Sequence, residues 1–272
     1  MKKRNDQNVI VKRAVLVFIL MFLVLLAALA FFTRSIVMRE QLKASYTAEA
    51  TVANVEAQLN RYLAESELLK SIVESGYEIS DSDFAALSKL MYDEDGIIKA
   101  VELAPNGVVR SVYPKASNAD VLGLNMLRHP ERKVEANLAK ESGQYTIAGP
   151  FQLVQGGTGA LLFDPIYTTG ADGSQKYWGF SVLVLDWESF LDEIQINKLQ
   201  DASYEYLIWK EGHNGERIVI AQGDRPVGPN TLEVACAVPN DTWYFEIVPQ
   251  GGWVSTTQAV GGYLLIIALT IL

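Results

Sequence analysis

The chain is poor in the residues that carry catalysis and covalent cross-linking. Its 272 residues include one cysteine, Cys236, and two histidines, His129 and His213. One thiol excludes an intrachain disulfide, so the fold has to rest on a hydrophobic core, which about 220 residues outside the apolar ends can supply. One thiol and two distant imidazoles also exclude a His/Cys metal cluster, and no metal or cofactor is expected. No G-x-S-x-G elbow occurs, and carboxylate pairs such as Glu188 and Asp192 sit at the spacing of a solvated helix face. No catalytic residues are therefore assigned, and an extracytoplasmic hydrolase is the weak alternative. Proline and glycine are missing altogether between residues 36 and 75, so nothing there breaks a helix. Positive charge is scarce as well: 23 Lys and Arg stand against 32 Asp and Glu, a net charge of −9. Such an acidic chain disfavours nucleic acid and anionic membrane surfaces as partners.

What the sequence does have is apolar length at both ends. Residues 14–32, AVLVFILMFLVLLAALAFF, carry no charge and match the length of a bilayer-spanning helix. Lys2, Lys3, Arg4, Lys12 and Arg13 precede this run against a single Asp6. Positive flanks stay on the cytoplasmic side, which predicts a cytoplasmic amino terminus and an extracytoplasmic domain from Arg34 onward in a cell (plasma or inner) membrane. A cleaved signal peptide is disfavoured, because the run is too long and Phe31-Phe32-Thr33-Arg34 is a poor cleavage context. A second apolar stretch opens near Trp253 and ends in GGYLLIIALTIL at residues 261–272. A domain held between two spans is the layout of a receptor, with any output module expected beyond Leu272. A ligand-binding or adhesive surface protein without an output domain is the alternative.

Between the ends, the pattern predicts a helix continuing from the first span to Gly76. Val52, Val55, Leu59, Tyr62, Ser66, Leu69 and Val73 recur at alternating spacings of three and four, a seam that either packs on its own domain or forms a homodimer stalk. The dimer stalk is the reading carried forward. Asp93-Glu94-Asp95-Gly96 reads as a solvated turn, with a helix before it capped within residues 80–83. Strands are expected at residues 97–104 and 108–113, joined by the hairpin signal Pro105-Asn106-Gly107. A helix starting at His129-Pro130 and closing at Gly143 precedes strands at 144–154, 160–169 and 177–186. The QGGTG loop at 155–159 fits a hairpin, not a phosphate loop, since no Lys-Ser/Thr and no helix follow. One amphipathic helix over 187–200 and four strands between 204 and 248 complete the pattern. The predicted class is α+β, with two small mixed sheets in tandem.

The central strands are rich in aromatics, including Tyr145, Phe151, Phe163, Tyr167, Tyr177, Trp178 and Phe180. Most belong to a core, yet a small sheet with bulky residues on one face can also enclose an apolar pocket. Asp164 stands out there, either as a ligand partner or as an edge-strand charge.

Several segments also share the order and spacing of a known family. They are ELAPNGVVRSVYP at 102–114, LGLNML at 122–127, HPER at 129–132 and ESG at 141–143. GPFQLVQGGTG at 149–159, DPIY at 164–167, YWGF at 177–180 and PQGGW at 249–253 follow. Together they resemble CHASE domains, the cyclase/histidine kinase-associated sensory extracellular family. The resemblance implies a sensor built as a long stalk helix followed by two tandem PAS-like subdomains and flanked by transmembrane helices. The implied boundaries are a tail at 1–13, a span at 14–33, a stalk at 34–76, a membrane-distal ligand-binding subdomain at 77–201, a membrane-proximal one at 202–252 and a second span at 253–272. Plant members bind adenine-derived cytokinins, and bacterial members are joined to histidine kinases or cyclic-dinucleotide enzymes. Carried over strand by strand, the family's pocket falls at Ala148, Phe151, Leu162, Phe163, Gly179 and Phe180, to which Asp164 is added. A small-molecule ligand is the expected partner. Alanine at Phe163 or Phe180 is expected to weaken ligand response without unfolding the domain.

Overall fold

The computed structural model describes residues 2–92, 96–212 and 214–271; the expected acidic turn at 93–95 and His213 lie outside the described residues. Helix α1 (Lys2–Glu74) runs unbroken for 73 residues, as a stretch without proline or glycine permits. Its first half is one helix long and apolar enough to cross a membrane, and that part is not buried inside the protein. Gly76, at φ +83°, ends the run. Helix α2 (Asp81–Met91) begins with a capping box in which Ser80 and Asp83 satisfy each other's backbone N–H groups.

The first sheet holds β1 (Ile98–Pro105), β2 (Ser111–Tyr113), β3 (Thr146–Gln152), β4 (Thr158–Thr169) and β5 (Gln175–Asp186), all antiparallel, in the order β2-β1-β5-β4-β3. Asn106 and Gly107 both adopt positive φ at the β1 turn, the conformation the Asn-Gly pair favours. The QGGTG segment forms the end of the β3–β4 hairpin loop and the first two residues of β4, and its Gly156 carbonyl accepts a 2.8 Å bond from Lys99. Helix α3 (Lys115–Asn118) and the loop after it lead to α4 (Lys133–Ser142). That helix starts at Lys133, three residues after the proline at its expected first turn, because the chain turns at 129–132 and only then turns helical. Gly143, at φ +69°, closes it as expected.

The expected helix over 187–200 is two pieces, α5 (Trp187–Glu193) and α6 (Asn197–Asp201). Gln195 breaks it with a φ of +58°. The break lets Ile194, Ile196 and Leu199 all reach the core, a set that no single face of one straight helix presents. The second sheet holds β6 (Tyr204–Glu211), β7 (Arg217–Gln222), β8 (Leu232–Val238) and β9 (Asp241–Pro249), in the order β7-β6-β9-β8. Helix α7 (Thr256–Ile271) then lies against the apolar part of α1, with Gly262 so close that a Cβ there would fall 2.6 Å from Leu29.

The dimer seam expected on α1 is corrected by the structure. Val52, Val55, Leu59, Tyr62, Ser66, Leu69 and Val73 are all buried within the single chain. Both sheets carry an apolar face that must leave water, and α1 lies along both to cover them. The seam is spent inside the molecule and is not free for a second copy.

Candidate functional site

The pleat of the first sheet divides the residues expected to line one pocket. Side chains alternate between faces along a strand, so neighbours in sequence serve different compartments. Leu162 packs in the core under α1, and Asp164 contacts α1 directly. Ala148, Phe163 and Phe180 belong to the opposite, outer face, and Phe151 packs at its edge. The structure brings these four together and sets Leu162 and Asp164 behind them. Gly179 sits where β5 bulges around Trp178; a Cβ there would lie 2.3 Å from the Ala104 carbonyl oxygen, so this close approach of β5 to β1 admits only glycine.

Under α1, Asp164 is fully buried and fully engaged. Ser66 Oγ donates to Asp164 Oδ2 at 3.1 Å and lies 3.2 Å from Ser181 Oγ, while Lys70 Nζ donates to Oδ1 at 2.9 Å. Burial still raises the Asp164 pKa above the ordinary value, with Lys70 and Ser66 opposing the rise. This cluster ties the stalk helix to β4 and β5.

The outer face is organised differently. Register places Glu102, Val182, Phe163 and Thr146 in one row across β1, β5, β4 and β3. Phe180 lies beside Phe163 and Tyr177, with ring centroids 5.2 and 5.3 Å away. Val109, Val121, Met126, Ala136 and Ala139, from the segment after β1 and from α4, roof the row. Two charged side chains are enclosed with these apolar groups, Glu102 from β1 and Arg132 from the turn ahead of α4, each 1% exposed. The Arg132 guanidinium stands over the Phe151 ring, 5.4 Å from its centroid. No ion pair within 4.0 Å joins Arg132 to a carboxylate among the described residues. Glu102 Oε2, Arg132 Nε and Tyr177 OH have no hydrogen-bond partner there either. Burial pushes the Glu102 carboxyl up to about 7, the Arg132 charge acting against it, and burial lowers the Arg132 pKa in turn.

Neither Glu102 nor Arg132 is among the residues expected from sequence. A signal was present for Glu102: a lone carboxylate among the apolar residues of β1, in a strand buried on both sides. Arg132 offered none, because its burial depends on the turn at 129–132 folding over the sheet.

A concavity lies at the tip of the domain, a polar cleft of about 480 Å³ lined by residues including Gly76, Ser80, Leu103, Arg110, Thr168 and Trp178. It contains none of the expected pocket residues. Beyond it, contacts run from the outer face to the second sheet. Asn240 donates to Ser142 and Thr146, at 3.1 and 3.0 Å, and Lys210 pairs with Glu135 of α4 and Asp241 of β9. No group of three or more potential metal ligands occurs among the described residues.

Comparison with known proteins agrees with this architecture. The family model for the CHASE domain matches residues 46–220, well over half of the chain. No curated protein matches the sequence. Among solved structures, an extracellular ligand binding receptor from Desulfohalobium retbaense DSM5692 superposes with a TM-score of 0.52 at 16% identity. The match covers 75% of this chain but only 39% of that receptor, so the chain spans well under half of the receptor's length. The periplasmic domain of Vibrio cholerae LuxQ aligns over 80% of this chain and 97% of its own, with 11% identity and a TM-score of 0.32.

Proposed function

Because the chain belongs to the CHASE domain family, an extracellular sensory and non-catalytic module of receptors, we propose that it senses a small molecule at the outer face of its first sheet. The observation that carries this reading is the enclosed row of aromatic and aliphatic side chains around polar atoms that no described residue satisfies. Buried polar groups are normally bonded, and a mostly apolar site with a few convergent polar groups is the usual form of a ligand site. On this reading the residues that hold the ligand are Ala148, Phe151, Phe163 and Phe180, joined by Glu102 and Arg132. Leu162, Gly179 and Asp164 shape the sheet from behind.

The two sheets, each facing α1, support reading 77–201 and 202–252 as PAS-like subdomains in tandem. The apolar halves of α1 and α7 anchor the module in the cell membrane with the amino terminus inside, as the basic head suggests. Ligand on the outer face shifts α4, which bears on the second sheet through Glu135 and Ser142. That sheet in turn leads through Trp253 into α7. The signal reaches a cytoplasmic output, a histidine kinase or a cyclic-dinucleotide enzyme, as motion of α7 against α1. Such a ligand must prefer one arrangement of the module, since equal affinity for both transmits nothing.

The test is a thermal-shift screen of the chain in lipid nanodiscs against purines, cytokinin-like adenines, amino acids and short acids. A saturable rise in melting temperature that Phe151→Ala abolishes supports the outer face. Phe151 is only half-buried, so its removal perturbs folding less than removal of Phe163. A binder indifferent to Phe151→Ala, or sensitive instead to Arg110→Ala in the tip cleft, refutes it.

A further inference from the structure

The outer face buries one positive and one negative side chain and keeps them apart. Folded proteins rarely do this, because a buried charge without a partner is costly and an opposite charge nearby is the cheapest remedy. Glu102 and Arg132 feel each other's charge but form no ion pair within 4.0 Å, and the sheet explains why. Glu102 is held on β1 by its pairing with Val182, whereas Arg132 rests over Phe151 of β3, and β5 and β4 lie between those strands. Among the described residues, Glu102 Oε2 and Arg132 Nε are left without hydrogen bonds.

We propose that this compartment binds a free α-amino acid with an apolar side chain, its ammonium group on Glu102 and its carboxylate on Arg132. The inference rests on the outer face being the ligand site and adds the ligand class. A monoanion would satisfy Arg132 and leave Glu102 unmatched; a cation would do the reverse, and a neutral purine would match neither charge. Only a zwitterion bridges both, and the floor of Val182, Phe163 and Phe180 favours an apolar side chain.

The arrangement makes binding visible as a proton. Glu102, raised to about 7, is largely protonated at pH 6, and an ammonium group placed on it favours the carboxylate. Arg132 is the charged group that faces Glu102, with Glu131 and His129 beside Arg132 on the same turn. Uptake of the amino acid at pH 6 therefore releases a proton to buffer, and at pH 8.5 it does not.

The experiment is calorimetry of the chain in nanodiscs with L-alanine, L-valine, L-leucine and L-phenylalanine, each beside its deaminated acid and its decarboxylated amine. Titrations are run in two buffers of different ionisation enthalpy. The expected result is saturable binding of at least one amino acid, with both analogues weaker by at least ~100-fold. Proton release is expected at pH 6 and not in Glu102→Gln, an isosteric change that mimics the protonated side chain. If an acid or amine alone binds as tightly as its amino acid, or binding releases no proton, the zwitterion is wrong while the outer-face site stands. If no amino acid binds, the ligand class is likewise overturned. If an amino acid binds equally well to the wild type, Glu102→Gln and Phe151→Ala, both the class and the outer-face site fall.

Discussion

Asp164 and Glu102 lie on the two faces of one sheet, both removed from water, and they meet opposite fates. Asp164 faces α1, where Ser66 and Lys70 arrive from a single helix to engage both of its oxygens. Glu102 faces the roof, where, among the described residues, Arg132 stays beyond ion-pair reach and one carboxyl oxygen has no partner. The stalk helix is rigid and continuous, so it can deliver two polar groups one turn apart onto a fixed carboxylate. The roof is a turn and a short helix, elements that can close over something else. A completed polar cluster holds a fold together, whereas an incomplete one leaves a desolvation cost that the fold does not recover.

The comparison can be attacked from either face. The largest effect is expected for Phe163→Ala, which empties a fully buried ring site at the centre of the outer row. A loss of about 4 kcal/mol in urea unfolding is expected. The expectation that this alanine weakens ligand response while leaving the fold intact does not suit so buried a side chain, which makes Phe151 the better probe.

Asp164→Ala should cost about 3 kcal/mol, because it strands Lys70 and Ser66 at the stalk junction. The side chain of Lys70 is 23% exposed and recovers some hydration, which keeps the loss from being larger. A loss below 1 kcal/mol would mean that the junction does not fasten α1 to the sheet.

Glu102→Gln should act through pH. A carboxyl group whose folded pKa lies above its unfolded one stabilises most below the unfolded value of about 4.5, and loses that contribution as pH rises through 7. The stability of the wild type relative to Glu102→Gln is therefore expected to fall by about 3 kcal/mol between pH 4 and pH 8. The substituted protein becomes the more stable one at high pH. Parallel pH profiles for the two proteins would show that Glu102 does not titrate near neutrality.

Ser66→Ala is the mildest change, about 1 kcal/mol, since Lys70 still holds Asp164. The same substitution should leave amino-acid affinity unchanged, which separates the stalk face from the outer face in one pair of measurements.

Much of this architecture follows directly from the sequence. Apolar runs without charge, a long stretch without helix breakers, and Asn-Gly or Gly-rich turns between alternating strands are local signals, and they mark where helices and turns form. Helix α2 with its Ser80 cap, the hairpin at Asn106-Gly107 and all four strands of the second sheet are of this kind. The family resemblance across residues 102–180 lies within the region matched by the CHASE model.

Tertiary structure decided the rest. A seam at three-and-four spacing states that a helix face must be buried, and says nothing of what buries it; here two sheets of the same chain do so. The break at Gln195 answers to three buried aliphatic side chains, a demand that no local propensity encodes. Above all, a one-residue step along a strand changes the face it serves, so Phe163 and Asp164 are neighbours in the chain and occupants of different compartments. Whether a buried carboxyl group is fully bonded, like Asp164, or keeps an unpartnered oxygen, like Glu102, depends on which side chains reach it from distant elements. That is set by packing, and Arg132 is placed over the sheet only once the turn at 129–132 has folded.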